Sequence, residues 1–305
     1  MIDDTSRRDA LKCLGLGAGT LFALSGGVFG VVDLAEAATK LQTATPLFVQ
    51  ISDTHIGFNK DANPDVIGTL TRSIDLVNAL PQQPAFAIHT GDVTHLSRAQ
   101  EFDTAQQLMK RLRVSELHVV PGEHDVTDGP GAEFFARFGK ASNNRGHYSF
   151  DAGGVHFVAL VNVMNFRAGG LGSLGDDQFA WLKNDLAGRA ASQPIVVFAH
   201  MPLWTIYEPW GWGTAESEQI AALLRRFGSV TALSGHIHQI VQKIEGNITF
   251  HTARSTAYPQ PVAGTAAAPG PLKVPTDQLA KMLGVTSVTV ANRNGPLALT
   301  DSTLA

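Results

Sequence analysis

Pro46-Leu47-Phe48-Val49-Gln50-Ile51-Ser52-Asp53-Thr54-His55 is the stretch on which the fold turns. Residues 47–52 form a short apolar run of buried-strand length, and the run stops at a carboxylate and an imidazole two residues apart. This reads as a strand whose C-terminal end delivers polar side chains to a site. Outward from it, further apolar runs follow at 85–90, 117–121, 147–151, 155–162, 195–199, 230–234, 240–244 and 248–252. Longer amphipathic segments separate many of them, and strands alternating with helices predict an α/β layered domain.

Four helices are expected. Asn63-Pro64 supplies a cap and a first position for a helix through Leu80, where Pro81 stops it. Ser97 and Gln100 have capping-box spacing for a helix running to about Arg113. Residues 176–186 and 215–227 complete the set, the latter presenting Ile220, Leu223, Leu224 and Phe227 on one face as core packing. From Tyr258 to about Pro275 the chain is rich in Pro, Ala and Gly and is expected to be irregular. A short helix near 278–283 and a strand near 285–290 follow, and no internal repeat is found.

With 305 residues, 44% of them hydrophobic and 16% charged, the chain has enough apolar content for one large soluble domain, and general disorder is excluded. Its first segment reads as an address. Ser6-Arg7-Arg8-Asp9-Ala10-Leu11-Lys12 resembles a twin-arginine export signal, with Ala10 where Phe is usual. A glycine-rich apolar stretch from Leu14 to Val32 follows, and Ala35-Glu36-Ala37 forms a small-x-small cleavage site. The expectation is a signal peptide over residues 1–37, passage through the twin-arginine export machinery, and a periplasmic or secreted mature chain. The competing reading is an uncleaved membrane anchor, against which the glycines and the cleavage site argue.

Removing residues 1–37 takes away three of the 23 basic and five of the 27 acidic residues, leaving 20 against 22. That balance predicts no nucleic-acid-binding surface. The single cysteine, Cys13, lies inside the leader, so disulfides, thiolate metal sites and a cysteine nucleophile are excluded from the mature protein, and a lipid anchor is not expected.

Five motifs lie at or just beyond strand ends: Asp53-Thr54-His55, Gly91-Asp92, Gly122-Glu123-His124-Asp125, His200, and Gly235-His236-Ile237-His238. Each alone is common and is more often structural. Together they are not, because carboxylates and imidazoles crowded at turns are unfavourable unless a cation or substrate neutralises them. Their order, Asp-x-His, Gly-Asp, Gly-Asn-His-Asp/Glu, His and Gly-His-x-His, resembles that of the calcineurin-like metallophosphoesterases, roughly from Pro46 to Tyr258.

The resemblance implies an α/β/β/α sandwich, a metallophosphoesterase domain over 45–258 and a Pro/Ala/Gly-rich extension over 259–305. It implies two divalent ions (Zn, Mn, Fe or Co, or a mixed Fe³⁺/divalent pair), with Asp53, His55 and His238 on one, Glu123, His200 and His236 on the other, and Asp92 bridging. His124 takes the place of a phosphate-contacting, leaving-group-protonating histidine, with Asp125 orienting it or its loop. Hydrolysis of a small phosphate ester by a metal-activated hydroxide follows from the same resemblance.

Glu123 departs from the usual Asn. With two divalent ions, three carboxylates leave the centre at +1 before hydroxide, where Asn would leave +2. A less positive centre favours a monoanionic diester over a dianionic monoester, unless a trivalent ion restores the charge or Glu123 turns away. Trp204, Trp210 and Trp212, three of the four tryptophans, closely follow His200, so their loop either walls the site and stacks on the leaving group or simply packs on the sheet. His95, where the family often has Asp or Asn, is a candidate substrate contact or ligand support. His89, His118, His147, His156 and His251 read as structural. The alternative functional class is a non-catalytic or slow phosphate-ligand-binding module on the same fold.

Overall fold

The computed structural model describes residues 20–25, 28–33, 47–142, 145–165, 169–290 and 297–305. The chain divides into two compact units, Met1–Thr45 and Pro46–Ala305. In the first, β1 (Thr20–Ser25) pairs antiparallel with β2 (Val28–Asp33), with Leu24 opposite Phe29. The twin arginines, Cys13 and the cleavage site lie outside the described residues. Among the described residues no helix is long and apolar enough to cross a membrane.

The second unit is built on two mixed sheets. One has five strands in the order β13 (Leu297–Thr303), β12 (Gly284–Val290), β3 (Phe48–Ile51), β4 (Phe86–His89) and β5 (Glu116–Val119). The other has six, in the order β10 (Gln242–Glu245), β11 (Ile248–Thr252), β9 (Val230–Ser234), β8 (Ile195–Phe198), β7 (Val155–Ala159) and β6 (Tyr148–Ala152). Strands β3-β4-β5 and β7-β8-β9-β11 run parallel, while β12, β13, β6 and β10 are antiparallel to their neighbours.

Period-2 alternation places the sheets in the middle of the molecule. Phe48 of β3, Phe86 and Ile88 of β4, Phe157 of β7, Phe198 of β8 and Leu233 of β9 fill the space between the two sheets. The next residues along, such as Val49, Ile51 and Ala87, face the other way, into the core under the helices α1 (Val66–Asn78), α2 (Ala99–Met109) and α3 (Ala132–Phe138). On the far side, Ile195 and Val197 face α4 (Asp176–Ala187) and α5 (Ser217–Leu224). Because both faces of each sheet are covered, the central strands read as unbroken apolar runs. The expected α/β/β/α sandwich is the observed one. Between the sheets, Phe48 stacks on Phe86 at 5.3 Å and meets Phe157 edge-on at 5.4 Å.

Several details differ from the sequence reading. Helix α1 is capped by Asp65, whose Oδ1 accepts from Gly68 N–H at 2.8 Å, while Asn63 Oδ1 accepts from Asp65 N–H. Helix α2 begins at Ala99, and Glu101, not Gln100, reaches back to accept from Leu96 N–H at 2.8 Å. Ser97 is drawn away because its hydroxyl donates to the His124 carbonyl. The stretch 259–305 is no appendage to the fold. Its helix α6 (Thr276–Met282) leads into β12, which pairs antiparallel with β3 through Gln50 and Thr286, so the first sheet is completed from the far end of the chain.

Candidate metal centre

Every motif leaves the C-terminal end of a parallel strand: Asp53 and His55 after β3, Asp92 after β4, Glu123 and His124 after β5, His200 after β8, His236 and His238 after β9. The loops are pinned to one another by backbone hydrogen bonds. Asp53 N–H donates to Gly91 C=O at 3.0 Å and His55 N–H to Asp92 C=O at 2.9 Å, so the exits of β3 and β4 continue as a pair. Gly235 N–H donates to His200 C=O at 2.9 Å, joining the exits of β8 and β9.

These turns demand unusual backbone. Among the described residues six non-glycine residues have positive φ, and five of them are Asp53, His55, Asp92, His236 and His238. Left-handed backbone at such residues costs about 1–3 kcal/mol each and persists where the surroundings over-determine it. Gly91, at φ +92, sits against His200, with a Cβ there falling 2.6 Å from Nδ1.

Three of the seven sequence-predicted ligands, Asp53, His55 and His238, form one buried cluster, and Glu123, His200 and His236 form a second, with potential ligand atoms within 4.8 Å of one another in each. Asp92 lies between them. Its Oδ1 accepts from His124 N–H at 2.9 Å, which leaves Oδ2 at 3.5 Å from His55 Nε2 and 3.4 Å from His200 Nε2. One carboxylate oxygen thus faces both clusters. Glu123 does not turn away: Oε2 is 2.7 Å from His200 Nε2 and Oε1 is 3.0 Å from His236 Nδ1.

Backbone carbonyls set the tautomers. His200 Nδ1 donates to Thr90 C=O at 2.7 Å and His238 Nδ1 to Tyr258 C=O at 2.6 Å, turning each Nε2 inward. His55 Nε2 and His238 Nε2 then face each other at 3.2 Å. His200 Nε2, Glu123 Oε2 and His236 Nδ1 are buried with only these close charge contacts and no well-directed hydrogen bond, and His236 Nε2 is buried with no partner. Buried groups left so are unfavourable, and two cations accepting those lone pairs would resolve the arrangement. The donor set therefore fits a pair of metal ions.

Electrostatics within the cluster point the same way. Burial would raise Glu123, yet the charges of His236 and His200 hold it well below the usual carboxylate range. Burial would lower His200, but Asp92 and Glu123 outweigh it and hold the imidazole well above its ordinary value. His55 is pushed well below its ordinary value by burial and by the neighbouring His124, His238 and His95.

His124 Nδ1 donates to the His95 carbonyl at 2.8 Å, leaving Nε2 for a substrate atom. Burial opposes its protonation, but the charges of Asp92 and Glu123 raise it above the ordinary imidazole value. Asp125, which the sequence reading has orienting His124 or its loop, is turned to the loop. Its oxygens accept from the backbone N–H groups of Gly122, Val93 and Thr94 and from the Thr94 hydroxyl at 2.8–3.0 Å, which ties the β4 and β5 loops together.

His95 stacks on His124 at 4.8 Å and places Nδ1 3.4 Å from His55 Nδ1, so it braces both rings. Burial and the neighbouring His124 push it down to about 4. The three tryptophans separate. Trp212 lines a cavity of about 220 Å³ over the cluster. Trp210 packs edge-on against Trp212 at 5.1 Å, and Trp204 packs on Phe250 in the core beneath α5, so neither lines that cavity.

Four of the histidines read as structural have partners away from the cluster. His156 lies between Asp151 and Asp185, His251 meets Asp301, His118 stacks on Phe150 and His147 contacts Trp181. His89 is fully buried beside Thr54, and burial pushes it down to about 4. Tyr258, Gln260 and Pro269-Gly270-Pro271 also line the cavity, and the sequence reading assigned them nothing. No spacing marks them, because they reach the site only when the chain returns from β11. Tyr258 alone carried a signal, an aromatic residue six positions beyond a strand end.

Residues 46–240 match the family described as calcineurin-like phosphoesterase. Over 222 residues the chain is 26% identical to a probable glycerophosphodiester phosphodiesterase of Arcobacter nitrofigilis, covering 70% of this chain and 79% of that protein. It is 29% identical over 132 residues to purple acid phosphatase 23 of Arabidopsis thaliana, covering 39% of this chain and 28% of that one. A solved dimetal phosphatase from Danio rerio shares the fold, with a TM-score of 0.64 at 13% identity over 85% of this chain and 97% of its own. Strand ends, paired clusters and family match converge: the chain belongs to the calcineurin-like phosphoesterases and is a metal-dependent phosphoesterase.

Proposed function

We propose that the protein hydrolyses a small phosphodiester at a dinuclear centre held by Asp53, His55, Asp92, Glu123, His200, His236 and His238. The observation that carries this reading is the pair of three-residue clusters with Asp92 Oδ2 facing both. Two bound cations would activate water as the nucleophile and neutralise the phosphoryl oxygens. The chain's own groups do the rest. His124 holds a proton at Nε2 and gives it to the departing alkoxide, so an ester and water become an alcohol and a phosphate monoester. Asp125 fixes the loop that carries His124, and His95 keeps the ring upright through its carbonyl and its stacked imidazole.

Preference for a diester rests on Glu123, a third carboxylate aimed into the cluster where the family pattern has a neutral amide. The name of the Arcobacter relative, a phosphodiesterase, supports the same choice. Metal analysis of the purified protein, combined with turnover of bis(4-nitrophenyl) phosphate and 4-nitrophenyl phosphate, tests it. Two metals per chain and faster diester turnover are expected. Metal without turnover of either ester identifies a phosphate-binding module. Faster monoester turnover with one iron and one divalent ion shows that a trivalent ion restores the charge.

We also propose that residues 1–37 are an export leader and that the mature enzyme works in the periplasm or outside the cell. The Ser6–Lys12 motif supports this, as does the small-x-small site Ala35-Glu36-Ala37. N-terminal sequencing of exported protein should begin at Ala38, and full-length protein confined to the cytoplasm would contradict it.

A further inference from the structure

The metal ligands and His124 account for part of the cavity lining, and two further residues there carry polar atoms without partners. Trp212 is 1% exposed, and its Nε1–H is buried with no acceptor. Gln260 donates Nε2–H to the His236 carbonyl at 2.9 Å, which fixes the amide's orientation and leaves Oε1 buried with no donor. Native proteins rarely leave such groups unpaired, and a cluster of them at a cavity marks what the cavity receives. The metal ligands account for the other orphaned atoms here, but neither an indole N–H nor an amide oxygen lining the same cavity belongs to that set.

Both groups are held in place before anything binds. Trp212 is braced by Trp210 and Ile237, and its carbonyl accepts from Ile206 N–H at 2.8 Å. One group donates and the other accepts. A carboxylate or phosphate oxygen can satisfy only the donor, and an ammonium only the acceptor, whereas a hydroxyl accepts and donates at once. The cavity, about 220 Å³, holds roughly seven waters' worth of liquid, room for a phosphoryl group and a small alcohol.

We propose that Trp212 and Gln260 determine specificity by reading a hydroxyl on the alcohol portion of the diester: Trp212 Nε1–H donates to its oxygen, and the hydroxyl donates to Gln260 Oε1. The inference rests on the phosphodiesterase reading above and names the substrate feature that site selects, an alcohol with a hydroxyl beyond the ester oxygen. Lost pairing of two desolvated groups would penalise an analogue lacking that hydroxyl.

The test compares two phosphodiesters that differ only in whether the leaving alcohol is a 1,2-diol or its deoxy counterpart. Wild-type kcat/KM should favour the diol by at least about tenfold. Trp212→Phe removes the N–H and keeps an aromatic ring, and Gln260→Met removes the acceptor and keeps the length. Each should bring the ratio towards one, and general damage cancels because bis(4-nitrophenyl) phosphate reports it separately. Equal wild-type turnover of diol and deoxy esters overturns the proposal while leaving the phosphodiesterase reading intact, and points to a bridging water between the pair. Variants that keep the wild-type ratio overturn it also. If metal-loaded wild type cleaves none of the three esters, the parent reading fails and this one with it.

Discussion

A methyl group on Gly122 would fall 2.0 Å from Asp92 Oδ1 and 2.4 Å from Asp92 N, closer than real contacts allow. Gly122→Ala should therefore push the β5 loop off Asp92, costing about 1–3 kcal/mol of stability and lowering bound metal below two per chain, as read by thermal melting and elemental analysis. Glu123 allows a charge test at the same loop. Glu123→Asn adds one positive unit to the centre, so the ratio of monoester to diester turnover should rise, and an unchanged ratio with unchanged metal content would count against the charge argument. At this scale the ligands were legible because chelation needs particular side chains at particular strand ends. What escaped was chemistry supplied by main chain and by position. Tyr258 contributes a carbonyl to His238, Gln260 reaches the cavity from the chain's return, and nothing in either residue type announces this. For Trp204 the sequence leaves two readings open, since a large aromatic side chain beside a ligand satisfies core packing equally well, and in the fold it packs in the core.

Among the elements, the clasp between α4 and the β6-β7 hairpin makes a pH-dependent prediction. Asp185 accepts from His156 Nε2 at 2.7 Å and from the Ser149 hydroxyl at 2.6 Å. Burial would raise its carboxyl, but the hydrogen bonds from His156 and Ser149 hold it below the ordinary value of 3.8. A carboxylate depressed in the folded state adds stability above the unfolded-chain value and loses it as pH falls through the folded one. Asp185→Asn should thus cost about 1–3 kcal/mol near pH 7, and the gap from wild type should close below about pH 4 in denaturant titrations. The runs of the interior strands β3, β4, β7, β8, β9 and β11 were readable because a sheet covered on both faces leaves few polar interruptions. Helix α3 was overlooked, a seven-residue segment that follows Gly129-Pro130-Gly131, and β13 was overlooked because this edge strand buries only Leu297 and carries no long apolar run. Helix starts at Val66 and Ala99 shifted from their expected caps because Asn63 and Ser97 had other partners in space.

For the whole molecule, left-handed ligand residues and orphaned imidazoles mean that part of the native state's stability is contributed by ions. Chelation should lower the Tm, and adding back a divalent metal should restore it in a concentration-dependent way, whereas an unchanged melt would place the ions outside the seven-residue cluster. Composition and motif order conveyed the α/β class and the two-sheet sandwich, yet they could not show that the sheet draws its edge from residues 284–303. That arrangement bears on synthesis. Gln50 lies opposite Thr286, 236 positions downstream, so β3 stays unpaired along one side while most of the polypeptide is still being translated. Sheet completion must wait for β12 to clear the ribosome, and a nascent chain stalled before it would present an open strand edge to chaperones and to other nascent chains.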